Sequence, residues 1–130
     1  MWTDGDKNVG WEVSVDTNKR VLRLSCWGLW GKPLAASYDA AMMSAYEKLR
    51  GAPWYVLANI SNFPAQHGEV AQVHASLMAR AVAAGMKRAA SVVNSSLTAM
   101  QIKRIAEESR MPELAFHKNE ADALKWLLSD

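Results

Sequence analysis

The chain has 130 residues, of which 50% are hydrophobic and 22% are charged. These values exclude a disordered chain and fit one compact domain. The formal net charge is only +2, and the basic pair Lys103-Arg104 lies near Glu107 and Glu108, so we expect no nucleic-acid partner. Cys26 is the only cysteine, which excludes an internal disulfide and a zinc site built from cysteines. We therefore expect a reducing, cytoplasmic location.

Residues 1–9 form a polar segment that contains Asp4 and Asp6 and no apolar run. This composition predicts a disordered or extended N-terminal tail ahead of a single domain over residues 10–130. It also lacks the apolar region of a secretion signal. No later apolar run approaches the roughly 20 residues needed to cross a bilayer, so we expect no transmembrane segment.

Two alternating segments follow the tail and predict a β-hairpin. Trp11, Val13 and Val15 alternate with polar residues, and the turn formers of 16–19 lead into a second alternating run over 21–27. A period of two is typical of a strand with one covered face.

Beyond residue 28, helical and strand patterns alternate to the C-terminus. Apolar residues three and four positions apart indicate helices, and short apolar runs between them indicate buried strands. The predicted helices begin at Pro33, near Gly68, after a cap among Ser95, Ser96 and Thr98, and after Asn119, and the predicted strands are 54–60, 89–93 and 114–116. The order β-β-α-β-α-β-α-β-α predicts an α/β fold with a mixed sheet, right-handed parallel crossovers, and helices packed over most of the sheet.

The C-terminal segment and the strand before it carry short motifs. Residues 116–127 contain an aromatic residue, a capped acidic turn and the pattern Ala-Leu-x-Trp-Leu, and residues 88–93 read Arg-Ala-Ala-Ser-Val-Val. Together with the element order, they resemble the SpoIIAA-like family, which is related to the STAS domains of anti-sigma factor antagonists. The resemblance runs from about Gly10 to the end. It implies a SpoIIAA/STAS-like fold and a non-catalytic module that binds a protein or, by analogy with CRAL-TRIO domains, a lipid-like ligand.

The best-known mechanism of STAS antagonists is not implied for this chain. In the phosphorylated antagonists an Asp-Ser pair precedes the helix after the central strand, and phosphorylation of that serine changes partner binding. The matching segment here, residues 63–69, reads Phe-Pro-Ala-Gln-His-Gly-Glu. It has neither Asp nor Ser at the expected place, so we expect no phosphoserine switch there.

Two loops are the first candidates for a binding site, because ligands of open α/β sheets lie beyond the carboxyl ends of the parallel strands. One is 59–67, which includes Asn62, Phe63 and Gln66; the other is 94–98. Ser95 and Ser96 begin a predicted helix, where backbone N–H groups can receive an anion. The same serines are also ordinary helix caps, and both interpretations stay open.

His67 and His74 are about two helical turns apart, so both can face the same way. They have too few ligating neighbours for a metal site, and we expect no metal and no cofactor. His74 lies on the apolar stripe of its helix, where it is either a hydrogen-bonded core residue or part of a pocket. No nucleophile elbow or glycine-rich phosphate loop is present, so we expect no enzymatic activity.

Aromatic residues are concentrated in the first half of the chain. Trp30 lies in a glycine-flanked loop and Trp11 on a strand with one wet face. Each is either a core residue or an anchor at an interface, where tryptophan is favoured.

Two functional hypotheses follow. The first is a STAS-like regulatory module that binds a protein partner or a second copy of itself through an exposed patch containing Trp30 or Trp11. The second is a carrier or sensor of a small apolar or amphipathic ligand, for which a cavity of roughly 300 Å³ is needed. The candidate binding residues are Trp11, Trp30, Asn62, Phe63, Gln66, His67, His74, Ser95 and Ser96.

Overall fold

The computed structural model describes residues 1–129, and from the second strand onward its elements follow the predicted order. The strands are β1 Trp2–Gly5, β2 Gly10–Asp16, β3 Val21–Trp27, β4 Trp54–Asn62, β5 Met86–Val92 and β6 Leu114–His117, and the helices are α1 Lys32–Leu49, α2 Gly68–Ala83, α3 Ser96–Glu108 and α4 Glu120–Leu127. The predicted α/β class is confirmed.

The six strands lie side by side in chain order. Strands β1, β2 and β3 pair antiparallel, whereas β3 to β6 pair parallel, which confirms the mixed sheet. Each parallel crossover joins two adjacent strands in the same direction along the sheet. Right-handed crossovers therefore place α1, α2 and α3 on one face, and only α4 is left for the other.

Strand β1 is absent from the sequence-based prediction, which treats residues 1–9 as a tail. Apart from Met1, only Trp2 and Val9 are large apolar residues in this segment, so it carries no alternating signal. The segment is held in place by a local turn at residues 6–9 and by a contact with a distant part of the chain. Asp6 accepts backbone hydrogen bonds from Asn8 and Val9, and the Trp27 indole donates to the Asp6 carbonyl at 2.7 Å.

Two separate apolar clusters cover the two faces of the sheet. The larger lies under α1 and α2 and contains Tyr46 and Trp54, whose ring centroids are 5.2 Å apart. The smaller joins Leu57 and Ala90 of the sheet to Leu127 of α4.

The helices cover the two faces of the sheet unequally. On the second face, α4 contacts β4, β5 and β6, and Glu12 and Arg23 of the antiparallel strands remain exposed. Glu120 at the start of α4 accepts hydrogen bonds from Arg23 and Asn59, each at 3.0 Å. These bonds lower the pKa of Glu120 and fix the edge of α4 against the sheet.

Arg20 ties the β2–β3 hairpin to the end of α1. Its guanidinium donates to the carbonyl of Leu49, the last residue of α1, and to those of Ala52 and Pro53 at 3.1 and 2.9 Å. The backbone of Arg20 has a φ of 58°, an uncommon conformation outside glycine. A cation beside the C-terminus of a helix also stabilises the helix dipole.

We expect Arg20→Ala to lower the free energy of unfolding by about 1–2 kcal/mol, because a charged donor to several carbonyls is lost at a partly exposed site. Arg20→Lys should give an intermediate loss, since an ammonium keeps the charge but not the forked geometry. Urea denaturation measures both, and the exposed neighbour variant Lys19→Ala is the control. A change below 0.5 kcal/mol in Arg20→Ala would contradict this role.

Candidate functional site

Gln66 connects two loops at the carboxyl ends of the parallel strands. Its side-chain oxygen accepts a hydrogen bond from the backbone N–H of Trp30 at 2.9 Å. Its side-chain nitrogen donates to the carbonyls of Gly28 and Pro64, at 3.2 and 2.7 Å. The residue is 5% exposed. One buried amide therefore fixes the loop after β3 against the loop after β4.

Helix α3 joins the same arrangement through two polar side chains. The backbone N–H of Gln66 donates to Gln101, whose side-chain nitrogen donates back to the carbonyl of Gln66, both at 3.1 Å. The hydroxyl of Thr98 donates to the carbonyl of Phe63 at 2.8 Å. These roles cannot be predicted from the sequence, because Thr98 resembles a helix cap and Gln101 resembles an ordinary polar residue of a helix.

The turn after β3 requires a glycine. Gly28 has a φ of 77°, and a Cβ atom there would lie 2.5 Å from the carbonyl oxygen of Asn8. Such a close approach excludes any other residue without movement of the backbone. Gly28 thus allows the chain to turn inward and to carry Trp30 into the protein.

Trp11 and Trp30 are core residues, and the expectation of an exposed patch containing either of them is wrong. They are only 3% and 6% exposed. The indole of Trp30 donates to the carbonyls of Gly10 and Trp27, both at 3.2 Å, and that of Trp11 donates to Ser37 at 3.2 Å. The glycine-flanked loop folds inward, and α1 covers the strand face that carries Trp11.

His74 of α2 lies among three aromatic rings. Its ring centroid is 5.0 Å from that of Trp30 and 5.3 Å from those of Tyr38 and Phe63. The Nε2 atom is buried and has no hydrogen-bond partner among the described residues. Burial lowers the pKa of His74 to about 4, so its imidazole is neutral near pH 7. His67 is exposed at the N-cap of α2, and the structure does not bring the two histidines together.

A cavity of about 90 Å³ lies between the helices and the sheet beside His74. Most of its wall is apolar and includes Met42 and Met78. Its volume is well below the roughly 300 Å³ of a drug-sized site. The cavity therefore argues against a lipid-sized ligand.

The remaining predicted residues lie on the surface at the same end of the sheet. Ser95 caps α3 by accepting a hydrogen bond from the backbone N–H of Thr98 at 3.3 Å, as the capping interpretation expects. Ser96 and Asn62 are exposed. Within residues 1–129 no three His, Cys, Asp or Glu side chains are grouped as a metal site would need.

Three apolar side chains at this end are also exposed, and none is a predicted site residue. Leu29 is 52% exposed, and Leu97 and Met100 of α3 are 64% and 68% exposed. The hydrogen bonds of Gln66 bring their backbone segments to one end of the sheet. An apolar residue on the polar side of a helix is the only sequence signal for Leu97 and Met100.

We expect Gln66→Ala to lower the free energy of unfolding by about 2–4 kcal/mol, because it leaves a buried N–H and a buried carbonyl without their partner. Gln66→Glu should also be destabilising, since a carboxylate cannot donate to Gly28 or Pro64. Denaturant unfolding is the measurement, with exposed Gln72→Ala of α2 as the control. A loss similar to that of the control would show that the loops do not depend on Gln66.

The burial of neutral His74 makes stability depend on pH. The unfolded chain takes up a proton near the ordinary pKa of 6.5, whereas the folded protein does so only near 4. The free energy of unfolding should therefore fall as the pH drops from 6.5 to 4, by about 2 kcal/mol between pH 7 and pH 5.

His74→Phe should remove this contribution, and the exposed variant His67→Ala should keep it. Urea denaturation at both pH values measures the difference. An unchanged pH dependence in His74→Phe would contradict a neutral, buried His74.

Comparisons with known proteins identify the fold. No family model matches the chain, and no curated protein matches it. Among solved structures, it is similar to the crystal structure of an anti-sigma factor antagonist from Mycobacterium paratuberculosis, with a TM-score of 0.59, 13% sequence identity, and coverage of 92% of this chain and 95% of that one. The fold expected from the resemblance is confirmed: the chain has the SpoIIAA/STAS fold of anti-sigma factor antagonists.

Proposed function

We propose that the chain is a non-catalytic STAS-like module that binds a protein partner without a phosphoserine switch in the segment before α2. The binding region, which we call the docking surface, lies at the carboxyl ends of the parallel strands. It is formed by Leu29, Asn62, Pro64, His67, Leu97 and Met100.

The exposure of three large apolar side chains at one end of the sheet carries this proposal. Leu29, Leu97 and Met100 are each more than half exposed. Several large apolar side chains exposed to solvent in one region are typical of protein-binding surfaces. Methionine adapts its shape to a partner. The hydrogen bonds of Gln66 and Gln101 hold the backbone beneath them, so little order must be gained on binding.

The charged side chains near the docking surface favour binding to a different protein over binding to a second copy of the chain. Lys103 and Arg104 follow Met100 by three and four residues and are exposed, which places them one helical turn away on the same side of α3. The exposed Glu107 and Glu108 lie one further turn away from the docking surface, so two copies that met through this surface would bring their Lys103 and Arg104 side chains closest together. The expected partner therefore presents an apolar segment with neighbouring acidic residues.

Two further observations support a binding role. The structural neighbour is named an anti-sigma factor antagonist, a name that gives it a protein target, and segment 63–69 of this chain contains no Ser, Thr or Tyr that a kinase could modify. The buried groups are poorly suited to catalysis. Burial raises the pKa of the Cys26 thiol to about 12, so the reactive thiolate is not available near neutral pH.

Leu97→Asp tests the docking surface without damage to the fold. Leu97 is the second residue of α3, and the first turn of that helix has no acidic residue, so an aspartate there stabilises the helix dipole. Ala121→Asp is the matched control, because Ala121 is the exposed second residue of α4 on the opposite face.

The partner is first identified with a photo-crosslinking amino acid at position 100 in living cells, and is then purified. We expect Leu97→Asp to weaken its binding at least tenfold in calorimetry and Ala121→Asp to change binding less than twofold. Equal effects of the two variants would contradict the docking surface. Capture of a second copy of the chain alone would replace the proposed partner by self-association.

A further inference from the structure

Strand β6 forms one outer edge of the sheet, and among the described residues it pairs only with β5. The carbonyls of Glu113 and His117 accept backbone hydrogen bonds from the β5 segment, at 3.0 and 3.1 Å. Successive residues of a strand direct their backbone groups to opposite sides. The N–H and C=O groups of Leu114 and Phe116 therefore face away from β5, where another strand can pair with them.

The side chains of β6 do not protect this edge. Strand β1 at the opposite edge carries the exposed Asp4, and a charge on an edge strand opposes pairing with another chain. Strand β6 reads Leu-Ala-Phe-His, and each of its four residues is partly exposed. It contains no Lys, Asp, Glu or Pro, so the β6 edge is the side of the sheet that can accept a further strand.

A second copy of the same edge fits this strand in one register. If a two-fold axis passes through Ala115, Leu114 lies opposite Phe116 of the second copy, and each such pair can exchange both of its N–H···O bonds. The two apolar side chains then lie side by side on one face of the sheet. A shift in one direction would place Pro112, which has no N–H, opposite Phe116, and a shift in the other would place Lys118 opposite Leu114.

The charges of helix α3 match the same arrangement. A groove beside β6 is lined by Met111 and Phe116 and by Lys103 and Glu107 of α3, and both charged residues are exposed. A two-fold axis through Ala115 places the α3 helices of two copies antiparallel on one face of the joined sheet. Lys103 of each copy then lies opposite Glu107 of the other, and such complementary charges favour this partner and this register.

We propose that two copies of the chain associate through their β6 edges, in an antiparallel strand pair centred on Ala115, and form one continuous sheet. This contact lies along the side of the sheet, whereas the docking surface lies at its end and is left for a different protein. The two-fold axis makes the contact closed. The outer edges of the dimer are then the β1 strands with their exposed Asp4, so assembly stops at two copies.

The first test measures self-association of the full chain by sedimentation velocity at low salt. We expect the wild-type protein to form dimers with a dissociation constant on the order of 10 μM, because the shared surface is small. Lys103→Glu and Glu107→Lys each place like charges opposite one another, and each should weaken the dimer about tenfold. An equimolar mixture of these two variants should recover the dimer, because every facing pair is then opposite in sign.

Two exposed residues outside the groove provide matched controls for the charge changes. Lys87→Glu and Glu108→Lys alter the net charge in the same way as the test variants, and neither residue lines the groove beside β6. We expect each control to dimerise within about twofold of the wild-type protein. Mixing the two controls should give no gain, which separates the facing pairs from a general effect of net charge.

The second test examines the register with Ala115→Cys. In the proposed pair the two copies of this residue face each other with Cα atoms about 4.5 Å apart, which is within the range of a disulfide. The natural Cys26 is only 3% exposed and does not compete. Under mild oxidation we expect a disulfide-linked dimer to form at least tenfold faster than in Ala121→Cys, whose exposed position on α4 serves as the control.

Three outcomes would overturn the proposal. They are a wild-type protein that stays monomeric at ten times the expected dissociation constant, equal oxidation rates of the two cysteine variants, and a dimer that Lys103→Glu strengthens. The last result would indicate that two copies meet through the docking surface, where the Lys103 side chains come together. These measurements use the chain alone, so a failure here leaves the test of the docking surface with a protein partner unaffected.

Discussion

The sequential order of the parallel strands is the constraint on which the rest of the structure depends. Three right-handed crossovers between adjacent strands place α1, α2 and α3 on one face of the sheet. The opposite face of the buried strands still needs a cover, and α4 supplies it with Ala123 and Leu127. The antiparallel strands lie beyond α4, so their polar side chains, such as Glu12, face solvent without a penalty.

The same constraint brings the loops after β3, β4 and β5 to one end of the sheet. Loops that end a strand carry unpaired backbone groups, and here a single buried amide, Gln66, satisfies several of them. Trp30 and Phe63 continue from these loops into the core, where both rings touch His74. The interior packing and the surface at this end therefore belong to the same loops, so we expect a substitution in one to affect the other.

The core between the sheet and helices α1 and α2 contains buried polar side-chain atoms both with and without hydrogen-bond partners. Tyr46 and Trp54 reach backbone carbonyls at 3.0 Å with their polar atoms, which is the usual solution for a buried hydroxyl or indole. Among the described residues, Nε2 of His74 has no such partner, although it lies in the same layer.

The sequence by itself determined the class of fold, the strands β2 to β6 and the four helices, because apolar periodicity and caps such as Asn119 are local signals. It also indicated Gln66 and His74 as candidate site residues, but it did not predict their roles. Only the tertiary structure decided that β1 joins the sheet, that Trp11 and Trp30 are buried, and that Leu29, Leu97 and Met100 are exposed at one end. The burial of the two tryptophans and the meeting of the loops depend on contacts between segments 20 to 40 residues apart, such as Trp30 with Gln66. A periodic pattern tells which side of an element is apolar, but not which neighbour covers it.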